Sequence, residues 1–380
     1  FAPLYYDSGN YAPALEAALD IVGRDTFRAE QARARAEGRH IGLGVVSYVE
    51  GTGIGPYEGA RVTIEPSGQV RVATGLGTQG QGHYTAFAQI VAEVLDVDVA
   101  NVHVVTGDTR EFGWGTGTFA SRGAVVAGSA CHEAALAVRK KVIETGARVL
   151  GVAPDDVEIE DAAVRVRSDP SRIIGFGELA GHANPLRGAV VPGTEPGLEA
   201  TAYFGPDHGS TASGVHAMVV EVDAETAMVK ILRYIVVHDC GKLINPVIVA
   251  GQVQGGVAHG IGNAFYEQLV YDEGGQLQNA SFMDYLLPTA MDVPNVEMAH
   301  RETTAPLNPL GLKGVGEAGC IPTGACFAQA IEDALPHLAL EIREIPLSPN
   351  RLFELLRDAG PADRATTVAF GGRSEAVAAD

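Results

Sequence analysis

A chain of 380 residues, 46% hydrophobic and only 19% charged, can bury a large core and is long enough for more than one domain. Its formal net charge of −20 argues against a nucleic-acid partner, which is bound largely through clustered Lys and Arg. No run approaches the ~18 apolar residues of a membrane span, and Phe1-Ala2-Pro3-Leu4-Tyr5-Tyr6 lacks the basic and apolar segments of a signal peptide.

In chain order, Leu15, Ala18, Leu19 and Val22 recur at helical spacing and predict one helix over residues 11–37. Residues 41–50 read as a strand, interrupted by glycines at 51, 53 and 55, and residues 61–65 and 70–74 as a hairpin joined by Pro66-Ser67-Gly68-Gln69. A glycine-rich loop over 75–82 leads into an amphipathic helix marked by Tyr84, Phe87, Ile90, Val91, Val94 and Leu95. A strand at 102–105 leads to a second glycine-rich loop, 113–123, and an Ala-rich helix reaching about Leu150. Residues 151–200 read as a short α/β excursion, followed by strands at 216–222 and 229–238, a turn over 239–246 and a helix over 247–265. A polar hairpin near 272–275, a loop running from 288 to 309, a helix at 323–335, a strand at 338–345 and a helix at 350–356 complete the series. From Pro361 the chain has no period and reads as a mobile tail. The expected organisation is α/β (α+β): a first subdomain over 1–200, a second over 201–360, and the tail at 361–380.

The 47 glycines exceed a background of roughly 7%. They concentrate in a repeated arrangement of strand, glycine-rich loop and helix, at 70–95, 102–145 and 310–335, with a looser version at 232–265. Each helix start offers free backbone N–H groups and the positive end of a dipole. Several together suggest one large ligand with more than one anionic or polar segment.

Gly80-Gln81-Gly82 is followed by no Lys-Ser/Thr, so it is not a nucleoside-triphosphate loop, and it reads equally as a tight turn with a surface glutamine. Ala120-Ser121-Arg122 suits a phosphate contact through N–H, hydroxyl and guanidinium, or simple N-capping by Ser121 with Arg122 at the surface. Gly251-Gln252 reads as a helix start or a ligand contact. Glu317, between Gly316 and Gly319, is either a helix-entry carboxylate or a general base in a confined pocket. No GxSxG elbow occurs, and His83, His103, His216, His238 and His259 are scattered. Cys131, Cys240, Cys320 and Cys326 form no CxxC, so neither a zinc knuckle nor an iron–sulfur cluster is supported, and reduced cysteines fit a cytoplasmic protein.

Taken together, Gly80-Gln81-Gly82-His83-Tyr84-Thr85, Thr118-Phe119-Ala120-Ser121-Arg122-Gly123, the turn 239–246 with Gly251-Gln252, and Lys313-Gly314-Val315-Gly316-Glu317 resemble the molybdopterin-binding large subunit of the xanthine dehydrogenase and aldehyde oxidoreductase family, the molybdenum hydroxylases. The resemblance runs over most of residues 1–355 and implies that subunit's C-terminal fold, with mixed sheets and glycine-rich loops at helix N-termini. It implies that Gly80, Gln81, Gly82 and Gln252 contact the pterin, that Thr118, Ala120, Ser121 and Arg122 belong to the loop holding the dinucleotide phosphates, and that Gly316 lies against the cofactor beside Glu317. Glu317 resembles the family's active-site base. The cofactor is expected in its cytosine dinucleotide form, with molybdenum held by the pterin dithiolene and no protein ligand. The implied reaction is hydroxylation of an aldehyde or N-heterocyclic aromatic with oxygen from water.

The family's large subunit is roughly twice this length. The N-terminal half is therefore expected as a separate chain or a cut-away piece, with electrons leaving through a 2Fe-2S subunit and an FAD subunit. The loop from Glu50 to Glu58, which should line the substrate funnel, carries few polar anchors. Two other classes remain to be separated: a nicotinamide-dependent dehydrogenase, and a non-catalytic binding or assembly chain of the same fold.

Overall fold

The periodic stretch predicted as one helix is two helices in the computed structural model, which describes residues 5–187, 190, 191, 193 and 195–359. α1 (Tyr11–Val22) and α2 (Arg24–Ala36) meet at Gly23, whose φ of 70° lies in the left-handed region. Its N–H bonds the carbonyls of Leu19 and Asp20, both at 3.0 Å, so the glycine ends one helix and starts the next. The tail expected at 361–380 lies outside the described residues.

Three sheets follow. β1 (His40–Thr52) pairs antiparallel with β9 (Ser210–Val222), β9 pairs antiparallel with β10 (Val229–Asp239), and β10 pairs parallel with β11 (Val296–Arg301). The second sheet has the order β4-β3-β2-β8, built from β2 (Glu58–Ile64), β3 (Val70–Thr74), β4 (Val102–Thr106) and β8 (Glu199–Phe204). Its β2–β3 hairpin is the predicted one, and β3 runs parallel to β4. β5 (Val157–Glu160), β6 (Ala163–Val166) and β7 (Asp169–Gly175) form a small antiparallel sheet within the 151–200 excursion, which also holds α5 (Phe176–His182). Each large sheet is mixed and contains a single parallel pair, so the doubly wound parallel sheet of a nicotinamide dehydrogenase is not the architecture. The sheets also draw on both sides of residue 200: β1 enters the first sheet from before it, and β8 to β11 follow close to it or beyond.

Helices close the layers. α3 (His83–Leu95) and α4 (Ser129–Leu150) pack on the second sheet around Val62, Val72, Phe87, Val91 and Val138. α6 (Pro246–Ile261), α7 (Thr323–Ala334) and α8 (Pro349–Asp358) close one face of the first sheet around Val236, Val257, Phe327 and Ile331. α1 covers its other face with Ala14, Ala18 and Val22. π-helical turns precede α4 at Ala124–Gly128 and extend α6 at Gly262–Tyr266.

Two further sequence expectations need correction. The loop assigned to 288–309 contains β11, a half-exposed edge strand whose Glu297, His300 and Arg301 hid its period-two pattern. Residues 338–345 are not a strand. Leu340 and Ile342 reach the core, but the Ile342 N–H bonds the Glu332 carboxylate at 2.7 Å rather than a neighbouring strand. Apolar alternation is therefore satisfied there without a ladder.

β1 and α7 touch backbone to backbone. A Cβ at Gly42 would lie 2.0 Å from the Ala330 carbonyl oxygen and 2.4 Å from the Ala334 nitrogen, and neither can swing away. Gly42→Ala should therefore cost about 3 kcal/mol, the upper end for overpacking. A thermal melt reads this directly, and a midpoint equal to wild type would mean that the helix can lift off the sheet.

Candidate active site

The two parallel strand pairs send their carboxyl ends to the same place. Loop 75–82 follows β3, loop 107–123 follows β4, the turn 240–245 follows β10, and the segment 302–322 follows β11. All four contribute to one cavity of about 270 Å³, which also takes Gln252 from α6. Ligands favour such carboxyl ends, where side chains and loop amides are free of the ladder.

The loop at Thr118–Arg122 is held in an uncommon shape. Ala120 and Ser121 sit at φ of 47° and 48°, a left-handed conformation that non-glycine residues adopt only under constraint. The constraint is Arg122, fully buried with all three guanidinium nitrogens bonded. Nε donates to the Ile54 carbonyl at 3.0 Å, one terminal nitrogen to the Gly117 carbonyl at 2.8 Å and to Glu58, and the other to the Pro56 carbonyl. Its carbon lies 4.9 Å from the Phe119 ring centroid. Glu58, equally buried, also accepts from the Thr116 N–H at 3.1 Å and hydroxyl at 2.6 Å. Arg122 is thus neither a surface residue nor an open phosphate clamp. Its side chain builds the loop from behind.

The Glu317 loop is fixed in the same manner. Buried Lys313 donates to Asp239 at 2.9 Å and to the Thr303 hydroxyl at 2.7 Å, and its own N–H bonds the Cys240 carbonyl at 2.9 Å. Gly314 donates to the Thr52 hydroxyl at 2.9 Å, and any Cβ there would lie 2.0 Å from the Ser121 carbonyl oxygen. The two loops can be this close only because Gly314 has no side chain. Glu317 does not open a helix. α7 begins six residues later, and the Glu317 carbonyl instead accepts a turn bond from Cys320 N–H at 3.0 Å.

The Glu317 carboxylate is exposed at the cavity rim and forms no ion pair among the described residues. Its Oε2 lies 2.7 Å from Ser121 Oγ, which in turn receives the Glu317 N–H at 3.1 Å. Gln252 donates through Nε2 to the Gly316 carbonyl at 2.8 Å. A second carboxyl, Glu50 at the end of β1, stands 2.7 Å from the same Ser121 Oγ. Burial first, opposed by a Ser121 hydrogen bond and helped by the adjoining Glu317 carboxyl, pushes it up to about 8 in sum. Nothing in the local sequence marks Glu50, because it meets Ser121 and Glu317 only through tertiary packing.

The glycine-rich loop at 75–82 uses its glutamine internally. Gln81 Oε1 accepts from the Gln79 N–H at 2.6 Å and the Thr78 hydroxyl at 3.0 Å, and the Thr118 hydroxyl donates to the Gly77 carbonyl at 2.8 Å. The N–H groups of Gly80, Gln81, Gly82, Ala120, Ser121, Val315 and Gly316 meet no protein acceptor among the described residues. Helix starts contribute unequally. α3 has no side-chain cap and reaches the cavity through His83. The start of α6 is already satisfied by Asn245, whose Oδ1 accepts from Val247 and Ile248 at 3.1 Å each. α7 does not reach the cavity at all. His83, one of the histidines scattered along the sequence, lines the cavity with its ring stacked on Phe87. Burial pushes its imidazole down to about 4, so it is neutral at physiological pH.

The molybdopterin cofactor-binding domain family matches residues 17–294. The nicotine 6-hydroxylase large subunit of Paenarthrobacter nicotinovorans is 34% identical over 360 residues, 91% of this chain and 44% of that protein. The carbon monoxide dehydrogenase large chain of Hydrogenophaga pseudoflava is 35% identical over 93% of this chain and 45% of its own length. Among solved structures, quinoline 2-oxidoreductase from Pseudomonas putida 86 superposes with a TM-score of 0.84 at 39% identity, covering 93% of this chain and 46% of that one. The chain therefore spans less than half the length of the relatives it matches. Matched by that family across most of its length, in sequence and in fold, this chain belongs to the molybdopterin cofactor-binding domains.

Proposed function

We propose that the chain is the cofactor-binding, base-supplying part of a molybdenum hydroxylase acting on an aldehyde or an N-heterocyclic aromatic. The observation that carries this reading is the Glu317 carboxylate, fixed by Ser121 at the rim of a cavity edged with unpartnered backbone amides. Those amides fit a pterin dinucleotide, whose ring carbonyl and phosphate oxygens need donors spread over several ångströms. The amide nitrogen of Gln81 and the amide oxygen of Gln252, the ends not used within the protein, and the N–H groups of Gly80, Gly82, Ala120, Ser121 and Gly316 are the groups to hold it. Thr118 and Arg122 shape the loop instead, with their side chains already occupied.

When bound, the molybdenum centre supplies the oxidising power and the water-derived oxygen. The protein supplies the proton acceptor. Glu317 Oε2 is engaged by Ser121, which leaves Oε1 as the atom placed to take a proton. A base held in one position needs no search for its proton, which is where the rate gain of positioning lies.

The N-heterocyclic class is favoured by the names of two relatives, a nicotine hydroxylase and a quinoline oxidoreductase. The cytosine dinucleotide form, a cytoplasmic location, and 2Fe-2S, FAD and N-terminal-half partner chains complete the reading. No helix among the described residues is long and apolar enough to cross a membrane. Metal analysis and nucleotide release on the native complex should find molybdenum and a pterin-linked cytidine nucleotide in near-equal amounts. An active complex free of both would end this reading.

A further inference from the structure

Ser121 has one hydrogen to give and two lone pairs to offer. Three groups crowd its Oγ: Glu317 Oε2 at 2.7 Å, Glu50 Oε1 at 2.7 Å and the Glu317 N–H at 3.1 Å. The N–H can only donate. The single hydroxyl hydrogen can serve only one of the two carboxyl oxygens, so the other carboxyl must bring its own proton or face Ser121 lone pair to lone pair.

The surroundings decide which carboxyl that is. Glu317 is exposed, at a rim of backbone amides, where a charge is well solvated. Glu50 is half-buried, and its Oε2 is buried without a partner among the described residues. An ionised carboxylate there would leave a charged oxygen with no donor, a far costlier arrangement than a neutral acid. The titratable groups that reach Glu50 are Glu317, close enough for a direct carboxyl–carboxyl bond that also favours a proton on Glu50, Tyr48 on its own strand and Cys320 after the Glu317 turn, and none of them is a cation. Arg122, next in sequence to Ser121, is spent on Glu58.

We propose that Glu50 is a positioning residue that holds a proton and donates it to Ser121 Oγ, turning the only Ser121 hydrogen toward Glu317 and keeping that carboxylate charged and aimed. The relay runs Glu50 to Ser121 to Glu317, each donating to the next, with no proton left over. Loss of the Glu50 proton sets two carboxylates competing for one hydroxyl hydrogen, and Glu317 loses its fixed orientation. Burial and the adjoining Glu317 carboxyl raise Glu50 to about 8, and a proton donated to Ser121 favours the neutral acid further, so that loss falls at about pH 8 or above. The proton placement stands on this chain's geometry alone, whereas its catalytic consequence rests on the reading of Glu317 as base.

The test is infrared difference spectroscopy on the isolated complex carrying isotope-labelled glutamate, titrated from roughly pH 6 to pH 10, in wild type, E50Q and E317Q. A protonated-carboxyl band should be present at neutral pH, disappear as pH rises through about 8, be missing in E50Q and persist in E317Q. A band lost in E317Q but kept in E50Q would place the proton on Glu317 and overturn the proposal, as would a wild type with no such band. The second readout is the pH profile of kcat. Glutamine at position 50 still donates to Ser121 but cannot titrate, so E50Q should lose the alkaline limb seen in wild type, and E50A should lower kcat at neutral pH by roughly tenfold or more. An alkaline limb unchanged in E50Q would overturn the relay. If the infrared bands behave as expected in a complex that contains no molybdenum, the proton placement holds and the hydroxylase reading alone fails.

Discussion

E317Q should lower the turnover of the cofactor-loaded enzyme by roughly 10³-fold, within the range that a positioned general base contributes, while leaving its molybdenum and pterin content near wild type. Glutamine keeps the shape of the side chain and can still accept from Ser121, so the loop should keep its place. It cannot accept a proton at neutral pH. The surrounding anchors do not involve the carboxylate: Lys313 to Asp239, Gly314 to Thr52 and Gln252 to the Gly316 carbonyl all survive the change. The loss should therefore fall on kcat, with unfolding and cofactor analysis unaffected. Turnover within a few-fold of wild type, with the cofactor in place, would show that a different group takes the proton. A fall in cofactor content parallel to activity would make Glu317 a binding residue instead.

The parts of this arrangement that could be read from the sequence are those written locally. The loops at 75–82, 113–123 and 311–319 announce themselves by glycine, because backbone must come close to backbone there, as at Gly314 beside Ser121. Long helices and the β2–β3 hairpin follow from apolar period and turn residues. β11 escaped because an edge strand with charged residues on its open face has little period to show. Residues 338–345 misled for the opposite reason, having apolar alternation but no neighbour to pair with. The roles of Arg122 and Glu50 were out of reach for a third. Each is defined by a partner, Glu58 at 64 positions' separation and Ser121 at 71, that only the fold brings near. A resemblance in motif can assign Arg122 to a phosphate loop, but whether its guanidinium faces the ligand or the protein is a matter of packing.

That distinction has an energetic consequence large enough to measure. Removing the Glu58 carboxylate in E58A leaves the Arg122 guanidinium fully buried without its counter-charge, and breaking one side of a buried ion pair typically costs about 3–5 kcal/mol. Denaturant unfolding should show a loss of that size. Cofactor content should fall with it, because Ala120 and Ser121 keep their left-handed backbone only while Arg122 ties Ile54, Pro56 and Gly117 together behind them. Lysine at position 122 should not rescue the loop, since one ammonium cannot span the acceptors that a planar guanidinium reaches. If Arg122 instead held the phosphates directly, E58A would free the guanidinium, and cofactor would be bound as well as in wild type or more tightly. Stability lost with cofactor retained would thus return Arg122 to the ligand. Both lost together would make it the brace on which the amides of Ala120 and Ser121, and through Ser121 the aim of Glu317, depend.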